Sequence, residues 1–475
     1  MTRILLRSPK DPFHVMTVPE VLQRSVIGGN AGNLLFSTAV HKFLLTEGTE
    51  IVPNRLRAEP DEAARINDEF DLFVIPLANA FRLNLEPYLD RLARLVERLT
   101  IPVVIFGVGV QTDLGYDLGR LRRIDGTVTR LVRAVLERSA SVGVRGECTA
   151  DYLRSLGFPE RVVDVIGCPS MFLHGDRLQV VRKTPRLTEE SRIAVSATTH
   201  SALDPKLGRL LRTAHERYPH LLYVMQSHRD LELLYWGDTS QAAGRTSDSP
   251  VYRSHPLHQE GKARLFLDPA RWIDTLADYD FAFGTRIHGG IAALLAGTPA
   301  TVLCHDARTF ELCRYFAIPH RTLPQVPDDL DPAELYQEAD LGPLLRGHRE
   351  RFDRLVAFMD RNGLPHVFGE GGDRGAAFEA RERRTPYPPG VTAWDGTADA
   401  DLGHRLAWLK EQSTRLRDRH QATDRRVEEL LRRLEGMERR MAALERQLHQ
   451  VSAGSPRPPR LVGRPLSRIQ RRVRH

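Results

Sequence analysis

An arginine, a histidine and two glycines at the end of one apolar run are the residues of this chain best placed to do chemistry. In DYDFAFGTRIHGGIAALLAGTPATVL (278–303) a buried-strand pattern, DFAFGT, runs into Arg286, Ile287, His288 and the pair Gly289–Gly290, and a helical pattern follows. A helix start presents unpaired N–H groups and the positive end of its dipole, and glycines let a ligand approach the backbone closely. Arginine and imidazole add charge-assisted donors at the same point, so a phosphate or carboxylate suits it, and an imidazole titrating near neutrality can move protons there. A purely structural reading also stands, with Arg286 in an ion pair and His288 as a helix cap.

Three further turns carry the same kind of residue. In SASVGVRGECTADYLRSLGF (139–158) Arg145 follows a strand pattern and Glu147 opens a helix, so Arg145 either faces a cleft or pairs with Glu147 or another acid. SVIGGNAGNLLFSTAVHKFLL (25–45) reads as a strand entering a glycine-rich turn and then a helix. Its Asn30, Gly32 and Asn33 could cradle a phosphate or hydroxyls, or could simply cap the helix; the turn is neither GxGxxG nor a P-loop. GVGVQTD (107–113) places Gly109 where the strand PVVIFGVGV ends, for a ligand or for strand packing.

The elements that must position these turns follow from the hydrophobic pattern. About ten short runs rich in Val, Ile and Phe alternate with helical segments, which is how buried parallel strands alternate with covering helices. The clearest are 72–77, 102–110, 141–145, 163–167, 192–198, 220–226, 264–268, 280–285 and 299–304. The polar stretch 174–192 breaks the series. The expected fold is therefore α/β, with two Rossmann-like parallel-sheet domains of GT-B-like arrangement: residues 1–180, and 190–385 with closing helices. The ligand belongs in the cleft, at the carboxyl ends of strands. Residues 386–400 read as a linker.

From 402 to 451, Leu, Val, Met and a few polar residues step alternately by four and three, the a/d seam of a coiled coil, so residues 401–451 are expected to self-associate as a homo-oligomer. Residues 452–475 hold seven Arg and no acid; they are expected to be disordered, and either solvated or in contact with an anionic membrane surface. The net charge of +7 over 475 residues sits at this end. Residues 401–475 carry 19 Lys or Arg against 9 Asp or Glu, leaving 49 against 52 for residues 1–400, a net of −3, so the body is no nucleic-acid binder. The four cysteines show no CxxC pair and no zinc spacing, and no run of about 20 apolar residues or leader pattern occurs. A cytoplasmic enzyme with reduced thiols is expected.

Together the Asn-x-Gly-Asn turn (30–33), PVVIFGVGVQ, SVGVRGECTADYLRSLG followed by VIGCPSMF, and FGTRIHGGIAALLAGTPATVL resemble the polysaccharide pyruvyl transferase family over roughly residues 20–325. RIHGG is the most specific element. The resemblance implies a GT-B-like transferase that moves a pyruvyl group from phosphoenolpyruvate to a hydroxyl pair of a cell-surface glycan or its lipid-linked precursor. It implies that Arg286, His288 and Arg145 anchor the donor, with His288 the acid or base. Asn30, Gly32, Asn33, Gly109, Gly289 and Arg308 would contact substrate, and neither metal nor cofactor is required. Arg308 stands where the family often has lysine, and Asn33 where aspartate is usual. Two competitors remain: a glycosyltransferase using a nucleotide-sugar in the same cleft, and a non-catalytic glycan-assembly protein.

Overall fold

The structure, a computed structural model, describes residues 1–24, 26–198, 204–242, 245, 248–397 and 400–453. The chain divides into two units, Met1–Thr397 and Ala398–His475. The first unit holds two parallel sheets built in sequence order. The strands β1 (Thr2–Leu6), β2 (Thr49–Pro53), β3 (Leu72–Pro76) and β4 (Val103–Phe106) form one sheet in the order β2-β1-β3-β4. Strands β5 (Val142–Val144) and β6 (Val163–Val165) pair with each other and continue it through a parallel bridge from Val108 to Val144. The second sheet comprises β7 (Ile193–Val195), β8 (Leu222–Met225), β9 (Ala263–Leu265), β10 (Phe281–Gly284), β11 (Ala300–Cys304) and β12 (His320–Thr322), in the order β12-β11-β10-β7-β8-β9.

Every residue of β3, β4, β8, β10 and β11 is buried, which explains their unbroken apolar sequences: helices cover both faces of each sheet. Each sheet has a point where strand order reverses, between β1 and β3 in the first and between β7 and β10 in the second. Loops at such a point diverge and leave a crevice at the carboxyl ends of the strands. One continuous core joins the two sheets, since Ile4, Val74 and Val104 of the first share it with Ala194, Val224 and Val302 of the second. The helix Gly342–Arg361 follows the second sheet in sequence yet packs on the first half. Its Phe358 ring meets Phe106 edge-on at 5.1 Å, and His348 Nε2 lies 3.0 Å from the Gly175 carbonyl oxygen.

The nine strands read from the sequence are present with trimmed ends, and residues 177–192 carry no helix or strand. Three strands were not singled out: β1, β2 and β12, whose residues include Thr, Arg, Glu and His, because edge or end positions tolerate polar side chains. The strand expected to lead into the Asn30 turn is absent among the described residues. A helix, Val18–Arg24, precedes the turn instead, and Gly28 and Gly29, at φ +57° and +83°, reverse the chain before an extended run can form.

In the second unit Leu402–Ala453 is one helix. Leu406, Leu416, Leu430, Leu434, Met437 and Leu444 are among its large apolar side chains left exposed. No described helix is long and apolar enough to cross a membrane. The basic segment 454–475 lies outside the described residues.

Candidate functional site

The reversal point of the second sheet is where the Arg-x-His-Gly-Gly turn lands. Arg286 follows β10 as the N-cap of the helix Ile287–Leu295, its amide donating to the Ser196 carbonyl beyond β7 at 3.1 Å. Gly284 is at φ +141°, and a Cβ there would lie 2.1 Å from the Ser196 carbonyl oxygen, so only glycine lets these two strands come together at the site. Gly289 is needed for a similar reason: its Cβ would meet Ser196 Cβ at 2.5 Å. Ser196 in turn accepts a hydrogen bond from Gln226 Nε2, just past β8.

From the first half come two turns. Arg145 follows β5 and is 1% exposed; its Nε donates to the Gly107 carbonyl at 3.0 Å, its Nη2 lies 3.9 Å from Cys168 Sγ, and its guanidinium sits 5.3 Å from the centre of the Phe36 ring. The pairing with Glu147 weighed from the sequence does not form. Gly109 backs this side chain, because a Cβ there would stand 2.9 Å from Arg145 Cδ. In the Asn30 turn, Asn30 Oδ1 accepts from the Gly32 amide at 2.8 Å, and the Ala31 amide reaches across to the Gln226 carbonyl at 2.7 Å. Asn33 Nδ2 donates to the carbonyls of Ile27 and Gly28, both at 3.1 Å, which closes the turn on itself. Gly32 meets the imidazole of His288: a Cβ would fall 2.5 Å from Nδ1. The other ring nitrogen, Nε2, is 3.6 Å from Cys168 Sγ.

These residues enclose a cavity of about 270 Å³, lined by Asn30, Asn33, Arg145, Arg286, His288 and Arg308 together with Gly28, Gly29, Asn79, Arg82, Gln226 and Ile287. Gly32, Gly109 and Gly289 stand behind the wall, holding His288, Arg145 and Gln226 in place. The lining has four arginines and no acid. Arg308 is paired with Asp306 at 3.2 Å, and Asp306 also caps the helix Ala307–Phe316 through the Thr309 amide at 2.9 Å. The Nε atoms of Arg82, Arg286 and Arg308 are buried with no hydrogen-bond partner among the described residues. Buried donors of this kind are costly unless something binds them.

The electrostatics say the same. Burial, and after it the charges of Arg145, Arg308 and Arg286, hold the His288 imidazole well below its ordinary pKa, so it is neutral at pH 7. Burial and then Arg308 also lower the Arg82 guanidinium. An anion in the cavity would oppose both shifts by favouring the charged forms. Among the described residues no cluster of three or more His, Cys, Asp or Glu side chains is placed to hold a metal ion.

Sequence reading missed Asn79, Arg82 and Gln226. Arg82 belongs to ANAFRLN, which has no glycine signal and follows β3 by six residues. What could have found it is position: like Arg145 and Arg286, it comes soon after the carboxyl end of a buried strand.

Solved structures that resemble the chain include a protein of uncharacterised function from Klebsiella pneumoniae (14% identity, 66% of this chain and 88% of that one, TM-score 0.35). A UDP-GlcNAc 2-epimerase from Methanocaldococcus jannaschii shares 11% identity over 76% of this chain and 99% of that one, TM-score 0.39. A glycosyltransferase from Streptomyces nogalater shares 13% over 76% and 98%, TM-score 0.31. No curated protein matches. The sequence model of one family does match, from Asn30 on the cavity wall to Asp306, the partner of Arg308, more than half of the chain. With that span taking in the turns of Asn30, Arg145 and His288, the chain belongs to the polysaccharide pyruvyl transferase family.

Proposed function

We propose that this transferase uses phosphoenolpyruvate as donor, binds it in the arginine-lined cavity, and ketalises a hydroxyl pair of a glycan. The observation that carries the reading is the convergence of Arg82, Arg145, Arg286 and Arg308 on His288 with no acid in the wall. A small trianion matches both the charge and the confined volume. Arginine forks grip phosphate and carboxylate and hold the enol carbon in line for attack.

The reaction needs a proton delivered to the methylene carbon and attack by a sugar hydroxyl on the adjacent carbon. The bond to the phosphate oxygen then breaks, phosphate leaves, and a second hydroxyl closes the ketal. The two hydroxyls release two protons, of which one ends on the new methyl group and the other leaves with phosphate or solvent. A neutral His288 is ready to accept the first hydroxyl proton, and the bound anion, by offsetting the arginines, raises its pKa so that it can hold that proton and pass it on.

The test is acceptor-dependent release of phosphate from phosphoenolpyruvate, with thermal shifts of phosphoenolpyruvate, UDP-sugars and GDP-sugars measured beside it. Phosphoenolpyruvate should raise the melting temperature. Arg286→Ala should cost about 100-fold or more in kcat/KM for the donor. Stabilisation by a nucleotide-sugar with none by phosphoenolpyruvate would favour glycosyl transfer instead, and full function in Arg286→Ala would favour a non-catalytic glycan-assembly protein.

A further inference from the structure

The donor cavity does not end at Arg82. Gly28, Asn33, Asn79 and Arg82 line both it and a second cavity of about 460 Å³. Pro9 and Leu56 then line both that second cavity and a third of about 500 Å³. The three are therefore neighbours in a row, and topology says where the row runs. Arg82 follows β3 and Arg145 follows β5; Arg7 and Pro9 follow β1; Arg55 and Leu56 follow β2. In a sheet ordered β2-β1-β3-β4, the row crosses the carboxyl ends of the strands, over the reversal point between β1 and β3, to the edge strand β2. From β3 to β2 is two strand spacings of about 4.8 Å, roughly 10 Å, room for more than one sugar ring.

The charge along this row is one-sided. The second cavity is lined by Arg7, Arg82 and Arg91 with no acid, and the third by Arg55, Arg57 and His14 among others, with Asp11 as its acid. Arg57 is hydrogen-bonded to Glu62 at 3.4 Å and Arg91 lies 3.9 Å from Glu59, while Arg55 has no carboxylate partner among the described residues. Residues 1–400 as a whole carry 49 basic against 52 acidic side chains, so a basic row is not what the composition of this body would produce by chance. The ridge between the second and third cavities is also firmly built. Arg55 and Leu56 are both at positive φ, +55° and +61°, a conformation that branched or bulky side chains rarely adopt. Asn54 holds them there, its side chain donating to the Arg57 carbonyl and accepting from the Leu56 amide, each at 2.9 Å. Leu56 packs against Gly28 of the donor turn, where a Cβ would lie 3.1 Å from its Cδ1.

We infer that the second and third cavities are the acceptor track, and that the acceptor is an anionic glycan whose phosphate or carboxylate substituents, beyond the sugar being modified, are read by Arg7, Arg55 and Arg57. Tyr88, whose hydroxyl accepts from Arg7 Nε at 2.6 Å and whose ring lies under that guanidinium at 5.1 Å, holds Arg7 at the wall of the second cavity. The inference rests on the proposed pyruvyl transfer for the word acceptor, and its test separates the two.

In the first arm, binding of glucose 1-phosphate, glucuronic acid and glucose is measured by calorimetry without any donor. The full-length protein should bind one or both charged sugars at least 10-fold more tightly than glucose, with affinity falling as salt rises. Arg55→Asn/Arg57→Gln, which keeps a residue tolerant of positive φ, should bring that preference close to one. Arg55→Glu/Arg57→Glu should reverse it. Preference for the phosphate sugar alone, or for the uronic acid alone, identifies which substituent is read. In the second arm, phosphate release from phosphoenolpyruvate is compared for glycosides with and without a charged substituent, and in each variant the kcat/KM ratio should drop by the factor by which that variant's binding preference drops. Loss of the first-arm preference in variants that melt like wild type supports the track even if no acceptor supports turnover, in which case only pyruvyl transfer fails. Equal binding of charged and neutral sugars by wild type, or an undiminished preference in Arg55→Glu/Arg57→Glu, overturns it.

Discussion

His288 is placed by what Gly32 lacks. The imidazole lies against the helix start at Gly32 so closely that a single added methyl group would sit 2.5 Å from Nδ1. Gly32→Ala should therefore displace the ring without removing any polar atom. A displacement of about 1 Å at a reacting group costs on the order of 100-fold in rate, while overpacking costs about 1–3 kcal/mol of stability. The expected pattern is a loss of turnover in Gly32→Ala approaching that of His288→Ala, with only a modest fall in melting temperature. Wild-type turnover in Gly32→Ala would mean the ring is not held by this contact. This pairing shows what was legible at residue level. The sequence displayed Asn30, Gly32, Arg145, Arg286 and His288 because glycine and turn residues mark close approach, but it could not say that the turn at 30–33 and the turn at 286–290 touch. Arg82 and Gln226 carried no local signal at all.

One carboxylate couples the two halves at the level of elements. Glu311, 4% exposed on the helix Ala307–Phe316, accepts from the Thr149 amide at 2.8 Å and from its hydroxyl at 3.1 Å, 162 residues away. Thr149 lies in the first turn of the helix Glu147–Ser155, so the contact ties the helix after Arg145 to the helix that carries Arg308. Burial pushes the Glu311 carboxyl up to about 7, against the opposing effect of Thr149 and Arg145. Its folded pKa lies above its unfolded value of 4.5, so its contribution to stability is fully present below 4.5 and is lost as pH rises through 7. Between pH 6.5 and 8 this removes about 1 kcal/mol. Glu382, also raised to about 7 by burial, acts in the same direction, whereas His41 and His255, lowered to about 4 by burial, and His174, His258, His288 and His348, also lowered by burial, add stability as pH rises through the unfolded value of 6.5 and oppose it. Glu311→Gln should therefore make the melting temperature rise more, or fall less, between pH 6.5 and 8 than it does in wild type. A slope equal to that of wild type would show that this carboxyl is already ionised in the folded protein. At this scale the α/β alternation was readable because buried strands are apolar on both faces. The short end strands β2 and β12 were not, being partly exposed and polar.

At the scale of the whole molecule, the C-terminal helix carries an exposed apolar stripe that a second copy of the chain would cover. Leu402–Ala453 runs for 52 residues, and Leu406, Leu409, Leu416, Val427, Leu430, Leu434, Met437, Met441 and Leu444 are each roughly half exposed or more, on the alternating four-and-three seam visible in the sequence. The pairs Glu428–Arg432, Glu429–Arg433 and Glu435–Arg439 run along the helix, and such pairs contribute only a few tenths of a kcal/mol each. A lone helix of this kind keeps its apolar stripe in water, while burial against a second copy would gain about 1.5–3 kcal/mol for each large side chain. The full chain should accordingly be a dimer or higher oligomer by light scattering at micromolar concentration. Leu430→Asp/Leu434→Asp, set in the longest unbroken apolar stretch, should be a monomer, since a charge at two adjacent seam positions costs more than the remaining contacts supply. Because residues 1–397 form a unit of their own with the arginine cavity inside it, the monomeric variant should keep its affinity for phosphoenolpyruvate. If it instead lost donor binding together with self-association, the cavity would need the assembled chain, and the helix would belong to the site rather than to the assembly.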